Sequence, residues 1–169
     1  DLSLGRPRAE HDFDVTIHMP AAYMIGGTGI LQNPEDCGHG YSEGPTPTEG
    51  MIDWHFVAED VIDFAWAADP DFVHKTLEME GGPTLHFIHQ ADTSYGAWEE
   101  LPAIAARAMQ YYGEHVGPYP WEQYTVIEGG DGGMEYPMCT LVRGNRSLRS
   151  LVGVCLLYTS DAADDPASV

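Results

Sequence analysis

Polar and apolar residues alternate in short stretches along the first half of the chain, and glycine- and proline-rich stretches separate them. Asp14-Val15-Thr16-Ile17-His18-Met19 alternates residue by residue, the pattern of a strand with one face buried. Asp53-Trp54-His55-Phe56-Val57-Ala58, Asp63-Phe64-Ala65-Trp66-Ala67-Ala68 and Leu85-His86-Phe87-Ile88-His89 are short and aromatic-rich, and each predicts a strand. Between them, Gly26 to Gly50 holds Gly26-Gly27-Thr28-Gly29 and Gly44-Pro45-Thr46-Pro47, which predict turns and loops. The period then changes. Trp98, Leu101, Ile104, Ala105, Ala108, Met109 and Tyr112 recur at spacings of three and four and share one helix face. Pro102 is tolerable only in a first turn, so the helix is expected to begin near Trp98 or Glu99. Gly113 and Gly117-Pro118 are expected to end it. Tyr124-Thr125-Val126-Ile127-Glu128 predicts a further strand leading into Gly129-Gly130-Asp131-Gly132-Gly133. The shift from strands to helix-then-strand places an expected domain boundary near Asp92.

Composition adds little until charge is considered. An apolar share of 43% is ordinary for a chain that buries a core. Seven basic residues stand against 27 acidic ones, a net charge of −20, and Lys75 is the lone lysine. Such a surface repels phosphates, which excludes nucleic acid and anionic membranes as partners. It fits either a GC-rich genome or a salt-adapted source. No apolar run is long enough to span a bilayer. The order of a signal peptide is missing from Asp1-Leu2-Ser3-Leu4-Gly5-Arg6. The absence of an initial Met leads us to expect that the gene starts upstream, so cytoplasmic and exported locations both stay open.

The histidines and cysteines offer weak metal candidates. His86 and His89 lie three apart, which would suit ligands on a helix but points to opposite faces of a strand. Cys37-Gly38-His39 has no companion ligand motif. Cys37, Cys139 and Cys155 are widely spaced and form no CxxC pair, so neither a disulfide framework nor a zinc ribbon is expected.

The strongest local feature is Gly132-Gly133-Met134-Glu135-Tyr136-Pro137. Glycines let a backbone approach a ligand closely, and a carboxylate beside them can hold a cationic group. Taken alone, it is a weak signal, and a simple bend with a surface carboxylate explains it better. Its surroundings change the balance. Gly-Gly-Met-Glu-Tyr resembles the Gly-x-Met-Glu-Asn exopeptidase motif of the M1 family of zinc aminopeptidases. Upstream, Val116-Gly117-Pro118-Tyr119-Pro120-Trp121 is similar to the segment that precedes that family's motif strand. Phe64-Ala65-Trp66-Ala67-Ala68-Asp69-Pro70 resembles bacterial members. Downstream, Met138-Cys139-Thr140-Leu141-Val142, Arg146-Ser147-Leu148 and Ser150-Leu151-Val152-Gly153-Val154 resemble the approach to the family's HExxH helix.

The resemblance implies an α+β fold, in which the end of an N-terminal β-sandwich domain (1–91) precedes the start of a thermolysin-like catalytic domain (92–154). It implies that Glu135 binds the free α-amino group of a peptide substrate. Gly132 and Gly133 would line the substrate backbone, and Met134 would pack near the first specificity pocket. Tyr136 departs from the usual Asn that braces the Glu loop. The implied parent is a zinc-dependent aminopeptidase acting on peptides with a free N-terminus, its zinc held by two His of HExxH and a later Glu. The alternative is a non-catalytic relative that binds or scaffolds. No catalytic or metal residue is expected in this chain, because the first zinc His would fall near Leu157. There, residues 155–169 change character, and Cys155-Leu156-Leu157-Tyr158-Thr159-Ser160-Asp161-Ala162-Ala163-Asp164 resembles a translated transposon-end sequencing adaptor. The native frame is expected to run to Val154 and to continue elsewhere, leaving this fragment inactive and without zinc.

Overall fold

A computed structural model describes residues 11–91, 96–129 and 133–143. The alternating segments form strands as expected. β1 (His11–Pro20) and, later in the chain, Met51–Val61 run antiparallel, with Ile17 opposite Trp54 and Val15 opposite Phe56. Between them come β2 (Met24–Gly27), β3 (Ile30–Leu31) and a single helical turn, α1 (Pro34–Cys37). Met51–Val61 is therefore β4, and it turns Ile52, Trp54, Phe56 and Ala58 inward. β3 pairs with the other edge of β4, giving a three-stranded sheet in the order β1-β4-β3. β5 (Trp66–Asp69) pairs with β2 as a separate two-stranded ribbon.

The second half builds a five-stranded sheet. Its strands are β6 (Phe72–Glu78), β7 (Thr84–Gln90), β8 (Gln123–Glu128), β9 (Met134–Tyr136) and β10 (Cys139–Val142), in the order β6-β7-β8-β10-β9. β7, β8 and β10 are mutually parallel, and the edge strands β6 and β9 run antiparallel to their neighbours. Parallel neighbours need a crossover. Helix α2 (Ala97–His115) supplies it between β7 and β8.

The sheet is covered on both faces. On one, Trp98, Leu101, Ala105 and Met109 of α2 pack on Leu85, Phe87, Tyr124, Val126 and Val142. On the other, Ile88, Ile127 and Cys139 meet Ile25, Trp54 and Phe56 from the first half of the chain. Strands outnumber helices in this α+β arrangement. No described helix is long and apolar enough to cross a membrane.

Several elements differ from the sequence expectation for identifiable reasons. Gly26 and Gly27 lie in strand β2, where a turn was expected. Their role is close approach: a Cβ on Gly26 would sit 2.4 Å from Ile88 Cδ1 and 3.0 Å from Ile127 Cδ1. Gly26→Ala is accordingly expected to destabilise by about 1–3 kcal/mol through overpacking, read as a lowered urea midpoint with an unchanged slope. An unchanged midpoint would mean that the two isoleucines move aside freely. The strand expected from Asp63 begins only at Trp66. β6 was not anticipated at all. Helix α2 runs through Gly113 to His115, and Gly117, at φ +153°, is the residue that suits the chain's exit. Because α2 already begins at Ala97, Pro102 falls in its second turn, where its missing N–H leaves the Trp98 carbonyl without its helical partner.

β7, which precedes Asp92, and β8, which follows it, pair in one sheet. Residues 144–169, including the adaptor-like segment and the approach to the expected zinc helix, lie outside the described residues.

Candidate functional site

The motif region occupies the outer edge of the five-stranded sheet. β8 is buried along nearly its whole length because both its faces are covered. β10 lies beside it, with Thr140 next to Val126. β9 folds back antiparallel, bringing Glu135 opposite Thr140 and Tyr136 opposite Cys139. Among the described residues β9 has a single neighbour, so its far side presents backbone N–H and C=O groups that no described strand pairs.

Side chains alternate across this edge. Glu135 shares a face with Thr140, Tyr124 and the buried side of α2, as the strand registers require. Thr140 and Tyr124 are joined hydroxyl to hydroxyl at 2.5 Å in a buried pair, which fixes the row beside Glu135. Glu135 itself is half-buried, and no hydrogen bond or ion pair ties its carboxylate to another described residue. Tyr136 points the other way and packs on the cluster around Ile127 and Cys139. Met134 is 52% exposed. Thus Glu135 and Met134 lie on one edge strand and Gly133 leads into it, while Gly132 lies outside the described residues.

The turn after β9 is unusually constrained. Pro137 and Met138 connect the two strands, and Met138 adopts φ +60°, a region that side-chain-bearing residues seldom enter. Met138 is nevertheless buried, in a small cluster with Ala58 and Val61 of β4. The Pro137 carbonyl accepts a hydrogen bond from the Thr28 hydroxyl at 3.0 Å, and the Met138 carbonyl accepts one from the Thr125 N–H at 2.9 Å. Gln123 donates from Nε2 to the Gly29 carbonyl and to Thr125 Oγ1. Sequence reasoning missed Thr28 and Gln123. Thr28 sits in a glycine run that suggested only a turn, and its partner is 109 positions away.

The histidines divide as strand geometry demands. His89 faces α2 and stacks on Trp98 with ring centres 4.9 Å apart. His86 faces the opposite side, where its Nδ1 lies 2.8 Å from Nε2 of His74 on β6. Tyr41 packs over both rings. Burial pushes the pKa of His74 down to about 4 and that of His86 down to about 3, the neighbouring His74 adding to the second shift. Burial also raises the Cys37 and Cys139 thiols to about 12, Asp36 adding to the shift at Cys37, which marks both as inert thiols. His39 Nε2 is bonded to the Ala21 carbonyl at 2.8 Å. Among the described residues, no group of three or more His, Cys, Asp or Glu side chains is placed to hold a metal ion. The implied zinc therefore does not fit the described residues.

The fold is similar to solved structures of M1 zinc metallopeptidases. The M1 zinc metallopeptidase from Deinococcus radiodurans matches at 17% identity over 88% of this chain and 34% of that chain, with a TM-score of 0.62. A two-domain M1 zinc metallopeptidase mutant bound to L-arginine matches at 18% identity, covering 89% of this chain and 34% of that one, with a TM-score of 0.60. Another mutant, bound to L-tryptophan, matches at 19% identity over 88% and 34% with a TM-score of 0.57. At these identities the likeness is one of fold, and the chain spans about a third of each structure's length. No protein-family model matches the chain, and no curated protein does.

Proposed function

We propose that this chain carries the substrate-amine recognition part of a zinc-dependent aminopeptidase, one that removes N-terminal residues from peptides. The observation that carries the reading is the position of Glu135: an unpartnered carboxylate among the described residues, on a sheet's edge strand. An extended peptide can add to such an edge through main-chain hydrogen bonds. Glu135 would then meet the ammonium at the peptide's first residue, a charge-assisted contact that an acylated N-terminus cannot make. Exposed Met134 beside it would touch the first side chain. Bound L-arginine and L-tryptophan in fold relatives are consistent with a pocket for a single amino acid. The proposal concerns recognition alone, because the ligands of a zinc site are not among the described residues.

The test is to express the complete gene product and measure its zinc content together with hydrolysis of leucine p-nitroanilide and of its N-acetyl form. The expected result is one zinc per chain and cleavage confined to the free-amine substrate. Binding of free-amine peptides without hydrolysis would assign the chain to the non-catalytic alternative. Indifference to acetylation, in binding and in cleavage, would overturn the amine-recognition role altogether.

A further inference from the structure

β9 is three residues long and joins the sheet through one neighbour, which is little to hold a side chain in a fixed direction. The turn that follows works against it. Met138 at φ +60° is in a conformation that persists only where its surroundings over-determine it. Those surroundings come from the far end of the chain. Thr28 is fully buried, and its hydroxyl donates to the Pro137 carbonyl at 3.0 Å while accepting the Ala65 N–H at 3.2 Å. Its own N–H is bonded to the Ala65 carbonyl at 2.8 Å, so the hydroxyl is carried on a rigid base. The next residue, Gly29, is tied to β8 through Gln123 Nε2 at 2.9 Å.

The chemistry requires a hydroxyl. The Pro137 carbonyl needs a donor and the Ala65 N–H needs an acceptor, and one hydroxyl meets both needs at once. A valine of the same shape would fill the space, leave the buried Pro137 carbonyl without its donor and take the acceptor from the part-buried Ala65 N–H. Glu135 stands two residues before Pro137. Misplacement of such a strand by about 1 Å is enough to spoil a directional contact.

We infer that Thr28 is a positioning residue for Glu135: its hydroxyl clamps the turn after β9 and so sets where the edge-strand carboxylate points. This rests on the amine-recognition reading of Glu135, and the test separates the two. Amide hydrogen exchange on this chain reads the clamp directly, without ligand. In Thr28→Val, the Tyr136 and Cys139 amides are expected to exchange at least about tenfold faster, while the β1–β4 amides keep their rates. Titration with L-leucinamide, observed at the Glu135 and Tyr136 amides, is expected to show about tenfold weaker binding. Thr28→Ser, which keeps the hydroxyl, restores both.

Unchanged exchange at β9 and β10 in Thr28→Val overturns the inference. So does uniform acceleration through every strand, which would make Thr28 a residue of general stability. Failure of Thr28→Ser to restore the exchange rates overturns it as well. If the unaltered chain ignores L-leucinamide, or if Glu135→Gln binds it as well as the unaltered chain does, the amine-recognition reading falls. The exchange rates then still decide whether Thr28 holds the strand.

Discussion

Glu135→Ala in the complete gene product is expected to lower kcat/KM for a free-amine peptide by about 10²- to 10³-fold, with zinc content and melting temperature unchanged. The size follows from removing one partner of a partly desolvated, hydrogen-bonded charge pair, a loss of about 2–5 kcal/mol. Stability should survive because the carboxylate supports no other described residue, so nothing loses a partner when it goes. The loss should vanish for N-acetylated peptides, whose turnover is already low and owes nothing to the contact. Near-normal turnover of the free-amine substrate by Glu135→Ala would sink the assignment. A fall in zinc content would place Glu135 in the metal site, contrary to the reading given above.

Acidification is expected to weaken the fold by way of His74 and His86. Both are neutral in the folded chain, with pKa values of about 4 and about 3 against 6.5 when unfolded. Between these limits the unfolded chain binds more protons, so stability rises with pH and is lost as pH falls from about 6.5 toward 4. From pH 7 to pH 5 the pair should cost on the order of 3 kcal/mol. The groups facing it reinforce this outcome. Tyr41 and the His39 carbonyl cap the rings, Cys37 and Cys139 flank Tyr41, and none of these is a carboxylate that could stabilise an imidazolium. Acid also relieves repulsion among the surface carboxylates, an effect of opposite sign that belongs to the whole chain. The His74→Leu/His86→Leu pair of substitutions isolates the two contributions. Its urea midpoint should hold or rise between pH 7 and 5 as carboxylate repulsion is relieved, while that of the unaltered chain falls relative to it. Parallel curves for the two proteins would show that other groups carry the acid response.

What the sequence revealed depended on whether a residue's surroundings were local. β1 and β4 alternate because each has one face on the core, whereas β8, covered on both faces, buries Gln123 and Thr125 as well as Tyr124, Val126 and Ile127. The face of α2 followed from its period, with Trp98, Leu101, Ala105 and Met109 buried as the spacing required. β2 escaped because Gly26 makes room for Ile88 and Ile127 and Gly27 for Ala65 and Trp66, all far along the chain, so that a packing requirement looked like turn chemistry. β6 escaped because an edge strand is only half-covered and shows no clean alternation. At the motif, Glu135 became a candidate through the residues around it, and its placement on an edge strand was not legible there. Thr28 and the His74–His86 pair were invisible, since each is defined by a partner on another strand.

The clamp between Thr28 and Pro137 has a consequence for how the protein is made. Its two halves are 109 positions apart, among the longest loops this chain must close. During synthesis β1 to β4 emerge first and can pair, and β6 with β7 soon after. The socket formed by Ala58 and Val61 then stands empty until Met138 leaves the ribosome. β9 is therefore among the last parts to be locked, and a nascent chain halted before Met138 would present an open apolar socket for chaperones to cover.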